Sequence, residues 1–402
     1  MYGNSAKYSN LTGLTTLVKK PSGTDEQTHA VEIVSPHNGN LLSQHTPNLL
    51  SDGELLWPVM DGIAYLRPKH SVREAAVALL QQDRPQEALV VLLQDQDPFA
   101  PLPPPGAETM RELLNDPTIN LRTALQMLNY GPVADYFAYR WATPTYLSGL
   151  ALLQLSAQVQ RPVVEIACGM GHFLQTLEAN GVTTVGVDLV FSKLWLARRY
   201  LGIQGTLVCG DTTALPLRSQ QPSTVFCHDA FYFFEDKEAV LDKLRTLAGG
   251  GPLSLGHVHT DAIDHGVAGT LQSAEAYGQM AYANASFYND QQLTTAWLSQ
   301  QTPPAQPPNK LKQAEAIAWI EGEINFRLFP LDRPASSLSR NPLLRPDGTV
   351  QWPTERFRNE YEADSAYLRK VSLPEDNWET LDAKEQAHLF RNRILLDLPP
   401  AW

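Results

Sequence analysis

Between Pro162 and His259, short apolar runs alternate with stretches whose apolar positions recur every three or four residues. VVEIAC, TTVGVDL, TLVCGD, STVFCHDAFYF and PLSLGHVH read as strands. Amphipathic helices are predicted between the first two, at FSKLWLARRYL and at KEAVLDKLRTLA. A parallel crossover needs a connection of helical length, so this alternation predicts a parallel sheet covered by helices on both faces. The expected fold class is α/β and Rossmann-like.

The pattern changes on either side of this core, which is placed at residues 159–262. Residues 1–30 are polar, rich in Ser, Thr and Lys, and are expected to be disordered. Residues 31–68 hold short β-like pieces cut by Asn38-Gly39, Asp52-Gly53 and prolines, which predicts a small β module. Residues 69–158 read as helical. SVREAAVALLQQDRPQEALVVLLQDQDPF predicts a helical hairpin, DPFAPLPPPGA a proline linker, and YGPVADYFAYRWATPTYL an aromatic-rich lid. Residues 263–402 are assigned to substrate-side helices and a C-terminal extension. Within them SAEAYGQMAYANASFYNDQQLTTAWL and KLKQAEAIAWIEGE both read as helices.

Composition narrows the function classes. The 402 residues carry a formal net charge of −12, which argues against a surface built to lie along nucleic acid. No apolar run reaches the roughly 18 residues of a membrane helix. MYGNSAKYSN has no basic region leading into an apolar one, so no secretory signal is expected. The three cysteines, Cys168, Cys209 and Cys227, lie in or beside β-like runs and read as buried thiols of a cytoplasmic protein.

The candidate chemistry centres on VVEIACGMG. A strand ends at Ala167, Gly169 and Gly171 let backbone approach a ligand, and a helix starts near His172. Asp188 closes the second strand, where it can accept hydrogen bonds from both hydroxyls of a ribose. The spacing suits a dinucleotide as well, but Gln175 and Thr176 stand where a third small residue is needed. Glu165, four residues before Gly169, suits a cationic ammonium and is a poor neighbour for a pyrophosphate. Asp211, just after the third strand, is placed to accept from an adenine amino group.

Residues 162–259 resemble the core of a class I S-adenosylmethionine-dependent methyltransferase, in its small-molecule branch. VVEIACGMG resembles the family's first motif, GVDL its ribose-binding acid, GDTTALPL its adenine-contacting segment and FCHDAFYFFEDK its fourth-strand segment. The resemblance implies that Cys168, Gly169 and Gly171 pack against the methionine part of the cofactor, with Glu165 nearby. It implies that Asp188 binds the ribose, that Leu189 covers the adenine, and that Asp211 and Thr212 meet the adenine edge. His228 and Asp229 would sit beside the sulfonium, and S-adenosyl-L-homocysteine would be the product. Residues 31–68 resemble a zinc-ribbon module, but Ser35 and Asn38 stand where that family has cysteines, so no metal is expected.

A protonated nucleophile needs a base. GHVHTDAIDHG supplies His257, His259, Asp261, Asp264 and His265, with His257 and His259 alternating on one strand face. His228 and Tyr232 are further catalytic candidates. The bases read as a His–Asp pair or, secondarily, as a metal site orienting a diol. Tyr130, Tyr136, Tyr139 and Trp141, with Phe231, Tyr232 and Phe233 on the fourth strand, would form the lid. The acceptor pocket is expected between Tyr232, the His257–His265 loop and Tyr277, Tyr282 and Tyr288. The expected function is methyl transfer to oxygen or nitrogen of a small polar metabolite, such as a sugar or natural-product intermediate, with no nucleic-acid or membrane partner. The rivals are a non-catalytic cofactor-binding partner subunit and an NAD(P)-dependent oxidoreductase.

Overall fold

The computed structural model describes residues 31–96, 100, 102–263, 266, 268–369 and 378–402. Residues 1–30, Asp264 and His265, for which expectations are stated above, lie outside them. The N-terminal region contributes β1 (Val31–Ile33), β2 (Ser43–Thr46), β3 (Leu49–Ser51), β4 (Leu56–Met60) and β5 (Ile63–Tyr65). The core follows with β6 (Val163–Ile166), β7 (Thr184–Asp188), β8 (Thr206–Cys209), β9 (Leu217–Ser219), β10 (Thr224–His228) and β11 (Leu253–His259). The remaining strands are β12 (Ser286–Asn289), β13 (Ala316–Glu321), β14 (Ser339–Arg340) and β15 (Leu395–Leu396).

Eleven strands form one sheet in the order β12-β13-β11-β10-β6-β7-β8-β5-β4-β3-β2. From β5 to β11 the neighbours are parallel, and β13 and β12 extend the sheet antiparallel beyond β11. Strands β6, β7, β8 and β10 are buried along their whole length. Parallel strands read as continuous apolar runs because both faces are covered. One face packs Val163, Leu207 and Phe226 under helices Pro144–Ser156, His172–Ala179 and Phe191–Leu196. The other packs Val164, Val185, Val208 and Val225 against helix Lys237–Ala248. The chain leaves β6 toward β7 on one side and returns to β10 on the other. That reversal opens a crevice at the carboxyl ends of β6 and β10.

Two expectations need correction. KLKQAEAIAWIEGE is not helical: Ala316–Glu321 is the fully buried strand β13, paired on both sides. A five-residue apolar run fits a core strand or a helix equally by period, and its Ile and Trp favour the strand. The supposed long helix before it is interrupted, giving helix Ala274–Met280, strand β12 and helix Asp290–Ser299.

The N-terminal strands are hydrogen-bonded into the core. Strand β5 lies parallel to β8, pairing Ile63 with Leu207 and Tyr65 with Cys209, so it covers what would be an open edge. A second tie pairs β1 with β9, and a third runs from Trp195 Nε1 to Asp61 Oδ2 at 2.9 Å. Inside this region Asp52 accepts from Ser35 Oγ at 2.6 Å, Trp57 Nε1 at 3.0 Å and the backbone N–H groups of Glu54 and Leu55. Burial opposes its ionisation, yet these four donors hold its pKa down to about 2. Asp52 thus ties the turn at Ser35 to its own turn by hydrogen bonds, and we propose that the region needs no metal. The purified protein is expected to carry no stoichiometric zinc, and a chelator should leave its melting temperature unchanged. One zinc per chain, lost on mutating His37 or His45, would contradict this. Asp52→Ala should lower stability by about 1–3 kcal/mol.

Candidate active site

A cavity of about 1240 Å³ opens at the carboxyl ends of β6, β7, β10 and β11. Backbone strain gathers there. Ala167, Asp229 and His257 all have left-handed φ, at 55°, 57° and 46°, a costly geometry for non-glycine residues and one that concentrates at functional sites. Tyr130, Tyr136 and Phe137 line one side of the cavity, and Phe357 and Tyr361 of helix Glu355–Tyr361 another. The C-terminal region is clasped to the aromatic-rich segment before β6 by Trp402 Nε1 on the Ala138 carbonyl and by Tyr367 Oη on that of Ala142, each at 2.7 Å.

The glycine turn forms the floor. Gly169 has a left-handed φ of 56° that disfavours any side chain, and a Cβ there would crowd the Phe137 ring at 3.2 Å. Gly171 is absent from the cavity wall: its φ of 73° makes the turn, and a Cβ would face Leu174 and Ile203. Asp188 Oδ2 accepts from Gly169 N at 2.8 Å, its Oδ1 accepts from Val190 N at 2.9 Å, and Lys193 Nζ lies 3.7 Å away. Glu165 is buried with Oε2 lacking any hydrogen-bond partner among the described residues. Burial pushes its pKa well up, the Arg140 charge offsets this in part, and Asp188 adds to it. Asp211 lines the cavity and also caps the turn after β8, accepting from Thr213 N at 2.8 Å. Cys168, Leu189 and Thr212 are on the wall.

Beyond the turn, Asp229 is the hub of a polar cluster. It accepts from Tyr136 Oη at 2.7 Å, Tyr232 Oη at 2.8 Å and Arg140 Nη1 at 3.2 Å. Its burial is outweighed by the charges of His257 and Arg140, which hold the carboxyl far below its ordinary range. His228 lies between Arg140 Nη2 at 3.3 Å and Ser148 Oγ at 3.4 Å. A guanidinium only donates, so Nδ1 spends its lone pair on Arg140 and Nε2 carries the proton. Burial and the neighbouring Arg140 charge keep this ring neutral.

His257 differs. Its Nδ1 lies 2.8 Å from Asp290 Oδ2, at the start of helix Asp290–Ser299. Burial alone would depress this imidazole, but the charge and hydrogen bond of Asp290 push its pKa up to about 9. The simple alternation of His257 and His259 is broken by a bulge between Leu255 and Val258, a feature that re-aims side chains beside active sites. Both rings still line the cavity, 4.7 Å apart, with His259 edge-on to Tyr232 at 4.9 Å. Asp229, His257 and His259 bring ligand-type atoms within 4.8 Å of one another. Arg140 on Asp229 and the His257–Asp290 pair already occupy two of those three groups.

Several expected placements differ. Phe231–Phe233 is a 3-10 turn after β10. Tyr232 and Phe233 line the cavity from it, while Phe231 packs beneath. Tyr139, Trp141, Tyr277, Tyr282 and Tyr288 are absent from the wall, as is Asp261. Arg140, Asp290 and the helix carrying Phe357 and Tyr361 are the residues the sequence did not point to. Asp290 follows Asn289, which caps its helix, so YNDQQL reads only as a helix start.

Sheet order and crevice define a Rossmann-like α/β protein. Residues 164–255 match the methyltransferase domain family. A curated malonyl-[acyl-carrier protein] O-methyltransferase from Hamiltonella defensa subsp. Acyrthosiphon pisum (strain 5AT) is 27% identical over 108 residues. The match covers 27% of this chain and 42% of that protein, so the chain spans less than half of the curated relative. Among solved structures, Haemonchus contortus phosphoethanolamine N-methyltransferase 2 in complex with S-adenosyl-L-methionine is 16% identical. The similarity covers 51% of this chain and 59% of that one, with a TM-score of 0.33. A SAM-dependent methyltransferase from Thermotoga maritima is 20% identical, covering 47% and 91%, with a TM-score of 0.33. No helix among the described residues is long and apolar enough to cross a membrane.

Proposed function

We propose that the protein transfers a methyl group from S-adenosyl-L-methionine to an oxygen or nitrogen of a small polar metabolite. The observation that carries this reading is the row of carboxylates, Glu165, Asp188 and Asp211, at the ends of three successive strands around the glycine turn of the methyltransferase domain. The residues fit such a cofactor. Glu165 offers a buried oxygen with no partner to an ammonium, Asp188 keeps lone pairs for a ribose, and Gly169 leaves backbone exposed where a side chain would intrude. When bound, the cofactor supplies an activated methyl group and its own leaving group. The protein's share is alignment, exclusion of water and removal of a proton.

For that last task we assign His257, held and oriented by Asp290. His228 has no lone pair left for a substrate, so we place it as a wall residue that positions Arg140. His259, Tyr232 and Asp229 would frame the acceptor. S-adenosylhomocysteine is expected to raise the melting temperature of the full chain, whereas NAD and NADP should not. Stabilisation by NADP alone would favour the oxidoreductase reading. A cofactor-binding partner without activity would give the first result but no methylation of any acceptor.

A further inference from the structure

The acceptor's charge can be read from the same cavity, an inference that rests on the methyltransferase reading. The described wall carries eight Asp or Glu side chains against three Lys or Arg. The three cations are committed or peripheral. Arg140 is 3.2 Å from Asp229, Lys193 is 3.7 Å from Asp188, and Arg356 is an exposed residue of helix Glu355–Tyr361. In the buried part of the wall an anionic acceptor would therefore have to break an existing ion pair to find a partner.

A cationic acceptor meets the opposite situation. Asp290 is only 7% exposed, and while Oδ2 holds His257, the buried Oδ1 has no hydrogen-bond partner among the described residues. An unpaired buried carboxylate oxygen is costly, and a ligand donor would relieve that cost. Glu360 and Asp364 line the cavity nearby, with Asp364 bonded to Gln291 next to Asp290. Phe357 and Tyr361 add aromatic rings to that wall, and the face of such a ring attracts a cation. The two buried oxygens without partners on the described cavity wall, on Glu165 and Asp290, would then serve two separate ammonium groups, the cofactor's and the acceptor's.

We propose that the acceptor is a small protonated amine, its ammonium held by Asp290 Oδ1 and its nitrogen the atom methylated. The nitrogen first gives one proton to His257 Nε2. Its freed lone pair then forms the new N–C bond while the C–S bond breaks, leaving the bonding pair on sulfur and a protonated N-methylamine as product. His257, pushed up to about 9, lies close to an alkylammonium in acidity, so this proton passes at small cost.

Three probes sharing one skeleton test the assignment: tyramine, tyrosol and 4-hydroxyphenylacetate, each at millimolar concentration with the full chain saturated by S-adenosylhomocysteine. Tyramine alone should raise the melting temperature further, and Asp290→Asn should weaken its binding by about 10–100-fold. Stabilisation by 4-hydroxyphenylacetate as great as by tyramine would overturn the proposal. So would no response to any of the three while the S-adenosylhomocysteine shift is intact. The wild-type comparison decides even if Asp290→Asn does not fold. Loss of the S-adenosylhomocysteine shift itself would instead count against the methyltransferase reading.

Discussion

His257→Ala is expected to lower turnover by about 10²–10⁴-fold while leaving the affinity for S-adenosylhomocysteine nearly unchanged. The imidazole must be neutral to take a proton, and Asp290 makes that state hard to reach. The groups facing it are Asp290 and Asp229, which favour the imidazolium, Arg140, which is paired with Asp229 and opposes it, and His228, whose ring lies 5.9 Å away. His259 packs edge-on against it. With the pKa pushed up to about 9, kcat/KM should rise with pH up to about 9. In kcat the rise should come at lower pH, because a bound sulfonium disfavours a second cation nearby. Asp290→Asn removes the charge that raises the pKa and should move the kcat/KM limb to lower pH. The same linkage acts on stability. A pKa raised above the unfolded value of about 6.5 stabilises the fold fully below that pH, and the contribution fades as pH rises through about 9. A kcat/KM profile unchanged by Asp290→Asn, or full activity of His257→Ala, would place the base elsewhere.

The α/β core was legible because its signals are local. Each strand is a short apolar run, each crossover an amphipathic stretch, and the glycine turn falls between them. The place of Glu165, Asp188 and Asp211 on the cavity wall was legible for the same reason, since one strand end apiece carries them. What the sequence hid was pairing across distance. Asp290 lies 33 positions from His257 and reads locally as an ordinary helix start. Arg140 stands among aromatics, and only the fold brings it 89 positions along the chain to Asp229. The acceptor wall was looked for in Tyr277, Tyr282 and Tyr288, but the first and last are buried core and the second lies over Arg245. Helix Glu355–Tyr361 lines the cavity instead, in a region whose sequence shows no usable period. Strand β13 reads as a helix in sequence because five apolar residues cannot reveal their own period. The bulge at His257 is likewise invisible locally, since it is set by the register against β13.

Asp188→Ala should raise the dissociation constant for S-adenosylhomocysteine by about 10²–10⁴-fold. The expectation follows from two charge-assisted bonds to a ribose, each contributing about 1.5–3 kcal/mol. The carboxylate can meet that demand while holding the turn. Its two oxygens offer about four acceptor directions, and Gly169 N and Val190 N occupy two of them. This double duty also means that Ala removes support from the protein itself. The melting temperature without ligand should therefore fall as well, and the two effects must be separated. Asp188→Asn does so: it keeps one oxygen acceptor but turns an NH₂ group toward partners that only donate or prefer to. It should cost nearly as much affinity as Ala if the ribose bonds carry the binding, and clearly less if the variant acts only by loosening the turn. Isothermal titration of both variants, with the ligand-free melting temperature as the control for folding, distinguishes these outcomes. Wild-type affinity in a folded Asp188→Ala protein would show that no ribose is held at the end of β7, and the proposed orientation of the cofactor would fall with it.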